Sequence, residues 1–183
     1  MKKTTLTTEL DIPAGITAQV AHESRVTVKG PKGEITREWK HPYIKIRSEN
    51  NKVIIHSSQA TAREKKMINT IDSHIANMLR GAAEGHEYRL KICSGHFPMT
   101  VTAGATEFSV KNFLGEKNPR ILKFDSSIKV KVEGQEVVVE GAAIEPVSQC
   151  AANIEKLTVV KNRDRRIFQD GIYITTKDGK AIE

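Results

Sequence analysis

The sequence predicts an α+β fold made twice over, each unit laying one helix against mostly antiparallel strands. Three observations predict it. First, the segment Val28-Lys29-Gly30-Pro31-Lys32-Gly33-Glu34 agrees with Val110-Lys111-Asn112-Phe113-Leu114-Gly115-Glu116 at four of seven positions, 82 residues apart. Second, flanking features recur in the same order. Ile12-Pro13 and Phe97-Pro98 lie upstream of the two copies, Ile44-Lys45-Ile46 and Ile128-Lys129-Val130 lie downstream, and Val53-Ile54-Ile55 and Val137-Val138-Val139 follow. Third, each copy leads into a single stretch with helical periodicity.

Taken in order, Val26-Thr27-Val28 and Ile44-Lys45-Ile46 alternate apolar and polar residues, as a half-buried strand requires. Glu49-Asn50-Asn51-Lys52 supplies turn residues, so the strands on either side of it form a hairpin. Thr61 and Glu64 have capping-box spacing at the start of a helix whose apolar stripe is Ile68, Ile71, Ile75, Met78 and Leu79, with Gly81 placed to end it. Met67 and Met78 both read as core filler. Tyr88–Ile92 then reads as a strand that either closes the first unit or opens the second.

The second unit repeats the pattern with Phe108-Ser109-Val110, with Ile128–Val132, and with a hairpin turn at Glu133-Gly134-Gln135-Glu136. Its helix begins near Glu145-Pro146, proline being favoured at the first helical position, and carries Val147, Cys150, Ala151, Ile154 and Leu157 as its stripe. Ile172-Tyr173-Ile174 reads as a strand after this helix, matching the one after the first. The boundary falls in Gly81–Gly85, giving a first repeat over 1–83 and a second over 84–183.

Composition narrows the function. The 183 residues carry 29 Lys and Arg against 22 Asp and Glu, a formal charge of +7. Apolar content of 38% and charged content of 28% match a globular chain rather than a disordered one. No run of about 18 apolar residues occurs, so no membrane-spanning helix is expected. Lys2 and Lys3 have no apolar stretch behind them, which argues against a secretory signal. Two cysteines, Cys93 and Cys150, are too few for a disulfide framework, so a reduced, cytoplasmic setting is expected.

The positive charge is concentrated. Residues 25–47 hold seven cations against Glu34 and Glu38. Residues 111–123 hold Lys111, Lys117, Arg120 and Lys123 against Glu116, and residues 161–166 hold Lys161, Arg163, Arg165 and Arg166 against Asp164. The rest of the second half is acidic. Gly115, Asn118 and Pro119 mark a loop whose backbone can approach a phosphate closely. Arginine adds a planar fork for bidentate phosphate contact, and lysine adds a point charge. Phe113 reads as packing beneath its own loop. With aromatics at 5% of the chain, recognition of phosphates and shape is expected rather than stacking as the main source of affinity.

Enzymatic constellations are missing from the sequence. It contains no GxxxxGK[ST], GxGxxG, HExxH or GxSxG motif. Cys93-Ser94-Gly95-His96 has half the ligand spacing of a zinc site, but a structural zinc takes about four ligands and Cys150 falls in a buried stripe. No enzyme, cofactor or metal is expected.

Val110–Lys117 with Pro119-Arg120, followed by Lys161-Asn-Arg-Asp-Arg-Arg-Ile-Phe-Gln-Asp-Gly-Ile-Tyr173, resembles the large-subunit ribosomal protein six family in its archaeal and eukaryotic branch, where it is counted as nine in eukaryotic naming. The resemblance covers nearly the whole chain. It implies a duplicated α+β fold and a structural, non-enzymatic place in the large ribosomal subunit in the cytoplasm. The partners it implies are large-subunit rRNA, neighbouring ribosomal proteins and nearby translation GTPases, with no membrane. It further implies that rRNA is bound mainly through the second repeat, near the sarcin–ricin loop. Carried over by residue, the implied contacts are Lys111, Asn112, Lys117 and Arg120 in one loop and Lys161, Arg163, Arg165, Arg166 and Lys177 at the other motif. The charge pattern adds Lys123. The first repeat keeps Lys29 and Lys32 but has Gly30-Pro31 in place of Asn112-Phe113, so its loop is expected to face solvent or another partner. The competing expectation is a free-standing protein-interaction module that recruits partners through exposed strand edges.

Overall fold

The computed structural model describes residues 4–182, so Lys2 and Lys3, weighed above for a secretory signal, lie outside it. The chain divides into two units between Gly85 and His86. The first holds β1 (Thr4–Asp11), β2 (Thr17–Ala21), β3 (Arg25–Gly30), β4 (Gly33–Glu38), β5 (Ile44–Glu49), β6 (Lys52–Ala60) and α1 (Ala62–Ala83). Two antiparallel three-stranded sheets, ordered β1-β6-β5 and β2-β3-β4, pack with the helix. Asn50 and Asn51 take φ of 50° and 61°, the left-handed pair of a tight hairpin turn that Asn tolerates better than most residues. Alternation then turns Val26, Val28, Ile44, Ile46, Val53 and Ile55 inward against Ile68, Ile71, Ile75, Met78 and Leu79 of α1.

α1 starts as its capping box requires. The Thr61 backbone N–H donates to Glu64 at 2.9 Å, and the Thr61 hydroxyl also meets that carboxylate. The hydroxyl contact holds the Glu64 carboxyl below its ordinary value. Met67 is 40% exposed and only Met78 belongs to the core, because position 67 falls just off the buried stripe. The helix also runs past Gly81 to Ala83, and the left-handed residue that follows is Gly85 at φ 85°. Gly81 is buried inside the helix. The neighbouring Ala82 carbonyl accepts from Lys32 N–H at 3.1 Å, so the turn between β3 and β4 sits against the end of this helix.

The second unit holds β7 (His86–Cys93), β8 (Thr100–Ala103), β9 (Glu107–Lys111), a single 3-10 turn (Phe113–Gly115), β10 (Arg120–Lys123), β11 (Lys129–Glu133), β12 (Glu136–Gly141), α2 (Ile144–Leu157), β13 (Gly171–Lys177) and β14 (Lys180–Ala181). Sheets ordered β10-β9-β8 and β11-β12-β7-β13-β14 repeat the arrangement of the first unit and extend it. β7 stands to β12 as β1 stands to β6, so it opens this unit. A strand follows each helix, β7 after α1 and β13 after α2, and the two do not occupy equivalent places in separate units. They are neighbours in one sheet, with Gly171 opposite Cys93. Pro146 is not the first helical residue either, since α2 begins two residues earlier at Ile144. Leu90, Phe108, Val110, Phe113, Val137, Val139, Val147, Cys150, Ala151, Ile154 and Ile172 fill the core.

Candidate nucleic-acid interface

In the first unit, Gly30 and Gly33 face each other across a tight turn. In the second, the equivalent strand β9 ends at Lys111 and the chain makes an eight-residue excursion before Arg120. Asn112, Leu114 and Gly115 all take left-handed φ, of 59°, 48° and 81°. Two anchors hold this loop. Phe113 is buried beneath it, and the Asn112 side chain donates from Nδ2 to the Pro98 carbonyl at 3.0 Å. Lys111 and Lys117 stand exposed on it.

Arg120 behaves differently from these lysines. Its guanidinium lies 4.3 Å over the Phe113 ring. Nε and Nη2 donate to the two carboxylate oxygens of Glu116 at 2.8 and 2.6 Å, and Nη1 donates to the Leu157 carbonyl at 2.6 Å. The hydrogen bonds from Arg120 hold the Glu116 carboxyl below its ordinary range. Arg120 thus braces the loop and ties it to the end of α2, where the second basic stretch begins.

That stretch, between α2 and β13, is also organised from within. The Asp164 carboxylate accepts from the Arg166 N–H at 2.9 Å and from its Nη2 at 2.8 Å, and the Asp164 carbonyl accepts from Phe168 N–H at 2.9 Å. Arg166 is therefore ion-paired, whereas Lys161 and Arg165 have no carboxylate partner among the described residues. The Arg163 guanidinium sits 4.8 Å over the Phe168 ring, and His96 stacks on the same ring with centroids 4.7 Å apart.

Asp170, 2% exposed, anchors this arrangement. Its carboxylate accepts from the Gly95 and His96 backbone N–H groups, the latter at 3.0 Å, and from His96 Nδ1 at 2.6 Å. Burial alone would raise its pKa, but the His96 and Gly95 hydrogen bonds outweigh burial and leave the carboxyl below the usual range. An ionised carboxylate only accepts, so the His96 proton is on Nδ1.

The two basic stretches therefore converge on residues 94–98. Pro98 receives Asn112, Phe97 lies against Gly115, and His96 is held by Asp170 and Phe168. Lys111, Lys117, Lys161, Arg163 and Arg165 belong to this gathering. Lys123 lies at the far end of β10, and Lys177 lies about 20 Å along β13 from Gly171. His96, Phe168 and Asp170 were not assigned from sequence. The only signals were an Asp and a Phe inside a motif chosen for its cations, and a His judged as half a zinc site. Among the described residues, no three His, Cys, Asp or Glu side chains gather as metal ligands.

The basic stretch of the first unit is largely neutralised. Arg25 and Lys40 pair with Glu38, Lys29 pairs with Glu34, and Lys45 and Arg47 pair with Glu23, at 2.7 to 3.4 Å. Arg37 meets His74 and lies over Trp39. Elsewhere in this unit, Arg63, Lys65 and Lys66 stand exposed at the start of α1.

The family model for ribosomal protein L6 matches this chain twice, at residues 12–85 and 97–171. Several curated proteins are similar along almost the whole chain, each named large ribosomal subunit protein uL6. The one from Methanococcus vannielii is 46% identical over 174 residues, covering 95% of both chains. That from Staphylothermus marinus is 46% identical over 91% of both. That from Aeropyrum pernix is 44% identical over 92% of this chain and 93% of its own.

Proposed function

The chain belongs to the ribosomal protein L6 family, and on that premise we propose that its second unit grips large-subunit rRNA through the two basic loops gathered at residues 94–98. Its role is structural and non-enzymatic, as a constituent of the large ribosomal subunit in the cytoplasm, with rRNA and ribosomal proteins as partners.

One observation carries the finer reading. Lys111, Lys117, Lys161, Arg163 and Arg165 stand on two braced loops with no carboxylate partner among the described residues, whereas five of the seven cations at 25–47 are ion-paired. Unpaired cations on a held backbone contact phosphate without first breaking an internal pair or ordering a loop. Arg120 acts from behind, holding the shape of its loop, Arg166 presents an exposed guanidinium already paired with Asp164, and Asn112 fixes where the first loop leaves its strand. Lys123 and Lys177 extend the basic surface outward. Bound in this way, the second unit lies near the sarcin–ricin loop, where translation GTPases dock.

The test is the binding of the full chain to large-subunit rRNA across a salt series. About five phosphate contacts give a slope of log K against log[salt] of about −3 to −5. Lys111→Ala with Lys117→Ala is expected to weaken binding more than Lys29→Ala with Lys32→Ala, and more than Arg63→Ala with Lys65→Ala. Equal losses from all three pairs would remove the assignment to the second unit, and affinity indifferent to salt would remove the phosphate reading itself.

A further inference from the structure

Beside the gathered loops, Ser94, His96, Ile167, Gln169 and Tyr173 help to line an open cavity of ≈ 620 Å³, a size suited to one small flat group. Its lining is unusual for a basic loop. Ile167, one residue after Arg165-Arg166, is 63% exposed, the most exposed large apolar side chain among the described residues. Tyr173 is 39% exposed, and its ring lies across Gly171, where an added Cβ would sit 3.0 Å from the ring's Cζ. The Tyr173 hydroxyl donates to the Gln169 carbonyl at 3.1 Å, which fixes the ring in place. At the edge, His96 is set by buried Asp170 and leaves Nε2 without a partner among the described residues, and the Ser94 hydroxyl is likewise unengaged.

We propose that this cavity receives one unpaired nucleobase of the bound rRNA, splayed from its neighbours. This deepens the rRNA reading above and rests on it. A bare phosphate gains nothing from Ile167 and the Tyr173 ring, and a neutral apolar ligand gains nothing from Arg163 and Arg165 alongside. A nucleotide satisfies both. Its flat base packs between Ile167 and the Tyr173 ring, its edge meets His96 Nε2 and the Ser94 hydroxyl, and its phosphates meet the flanking cations. Asp170 is a positioning residue here, since it holds His96 and touches no RNA.

The test uses the full chain, large-subunit rRNA, and the exposed-site variants Ile167→Ser and Ser94→Trp, the first removing the apolar wall and the second filling the cavity. Each is expected to lower affinity about tenfold, within the range for losing one stacked base, with the melting temperature and salt slope unchanged because no phosphate contact is lost. Probing the rRNA with reagents that modify base faces is expected to show one unpaired nucleotide protected by the wild-type protein and reactive again with Ser94→Trp. If both variants bind like the wild type while its binding keeps a steep salt slope, the base pocket is overturned and the phosphate reading survives. Wild-type binding without salt dependence overturns both.

Discussion

Arg120 grips Glu116 at two points, Nη2 to Oε1 at 2.6 Å and Nε to Oε2 at 2.8 Å, and so closes the loop between β9 and β10 on itself. Because the same guanidinium also donates to the Leu157 carbonyl, Arg120→Ala leaves a carboxylate and a carbonyl short of a donor at once. We expect it to destabilise the second unit by about 2 kcal/mol, read as a clear fall in melting temperature. Lys117→Ala should leave melting unchanged and make the salt slope of rRNA binding shallower by about 0.7 to 0.9. A melting temperature for Arg120→Ala equal to that of the wild type would mean that its guanidinium is free for RNA after all.

Asp170→Asn should separate from the wild type in a pH-dependent way. The folded carboxyl titrates below its unfolded value near 3.9, so the stability it contributes is complete above about pH 5 and is lost as pH falls through the folded value. Asn carries no charge at any pH, and with its one oxygen accepting from the Gly95 and His96 N–H groups, its NH2 meets His96 Nδ1–H donor to donor. Denaturant melts should therefore show a gap of about 2 kcal/mol at pH 7 that narrows below pH 4. A gap still constant at pH 2 would show that Asp170 acts by shape alone.

Gly30→Ala tests the close approach in the first unit. An added Cβ would run into the Ala82 carbonyl, 2.8 Å from its carbon, and both partners are backbone held by strand and helix. A loss of about 2 kcal/mol is expected. Gly134→Ala, with nothing within 4 Å and φ 63°, should cost about 1 kcal/mol from backbone strain alone. Circular dichroism melts of the two variants check the order, which reverses if the helix can shift aside.

The two thiols should differ in reactivity. Burial raises the Cys150 thiol to about 11, so at pH 8 it is protonated as well as enclosed. Cys93 is partly exposed at the rim of the cavity. Brief alkylation of the native protein should label Cys93 alone, with Cys150 labelled only after denaturation. Equal labelling would mean that α2 opens readily.

Much of this fold can be read from residue order. Alternation in β3, β5, β9 and β11 and the stripes of both helices point to elements whose partners lie close in sequence or share a periodicity. What stayed hidden depends on distance along the chain. Asp170 finds His96 across 74 residues, and no local pattern marks a carboxylate as the holder of a remote imidazole. Arg120 reads as one more cation in a basic stretch because sequence records its charge but not its direction. Only Phe113, three residues after Val110 of the same core, hints that the loop has an inside. Gly81 misled for a related reason. A small residue late in a helix signals either an end or a close neighbour, and here the helix runs on while Gly30 of β3 comes up against the next residue, Ala82.

The place of β7 between β12 and β13 has a consequence for how the protein is made. Every strand of the first unit, and its helix, has been synthesised by Gly85, so that unit can close while the ribosome is still translating the second. The second unit's central strand is made first in its unit, and its Cys93 end waits for Gly171, 78 residues later. Until β13 arrives, one side of β7 is an open edge, the kind of surface on which nascent chains pair wrongly. The loop from 158 to 170 leads directly into β13, so the strand that seals this edge also fixes the loop. A half-made chain thus carries a finished first unit without the second unit's basic loops set, and those loops take shape only as the vulnerable edge is covered.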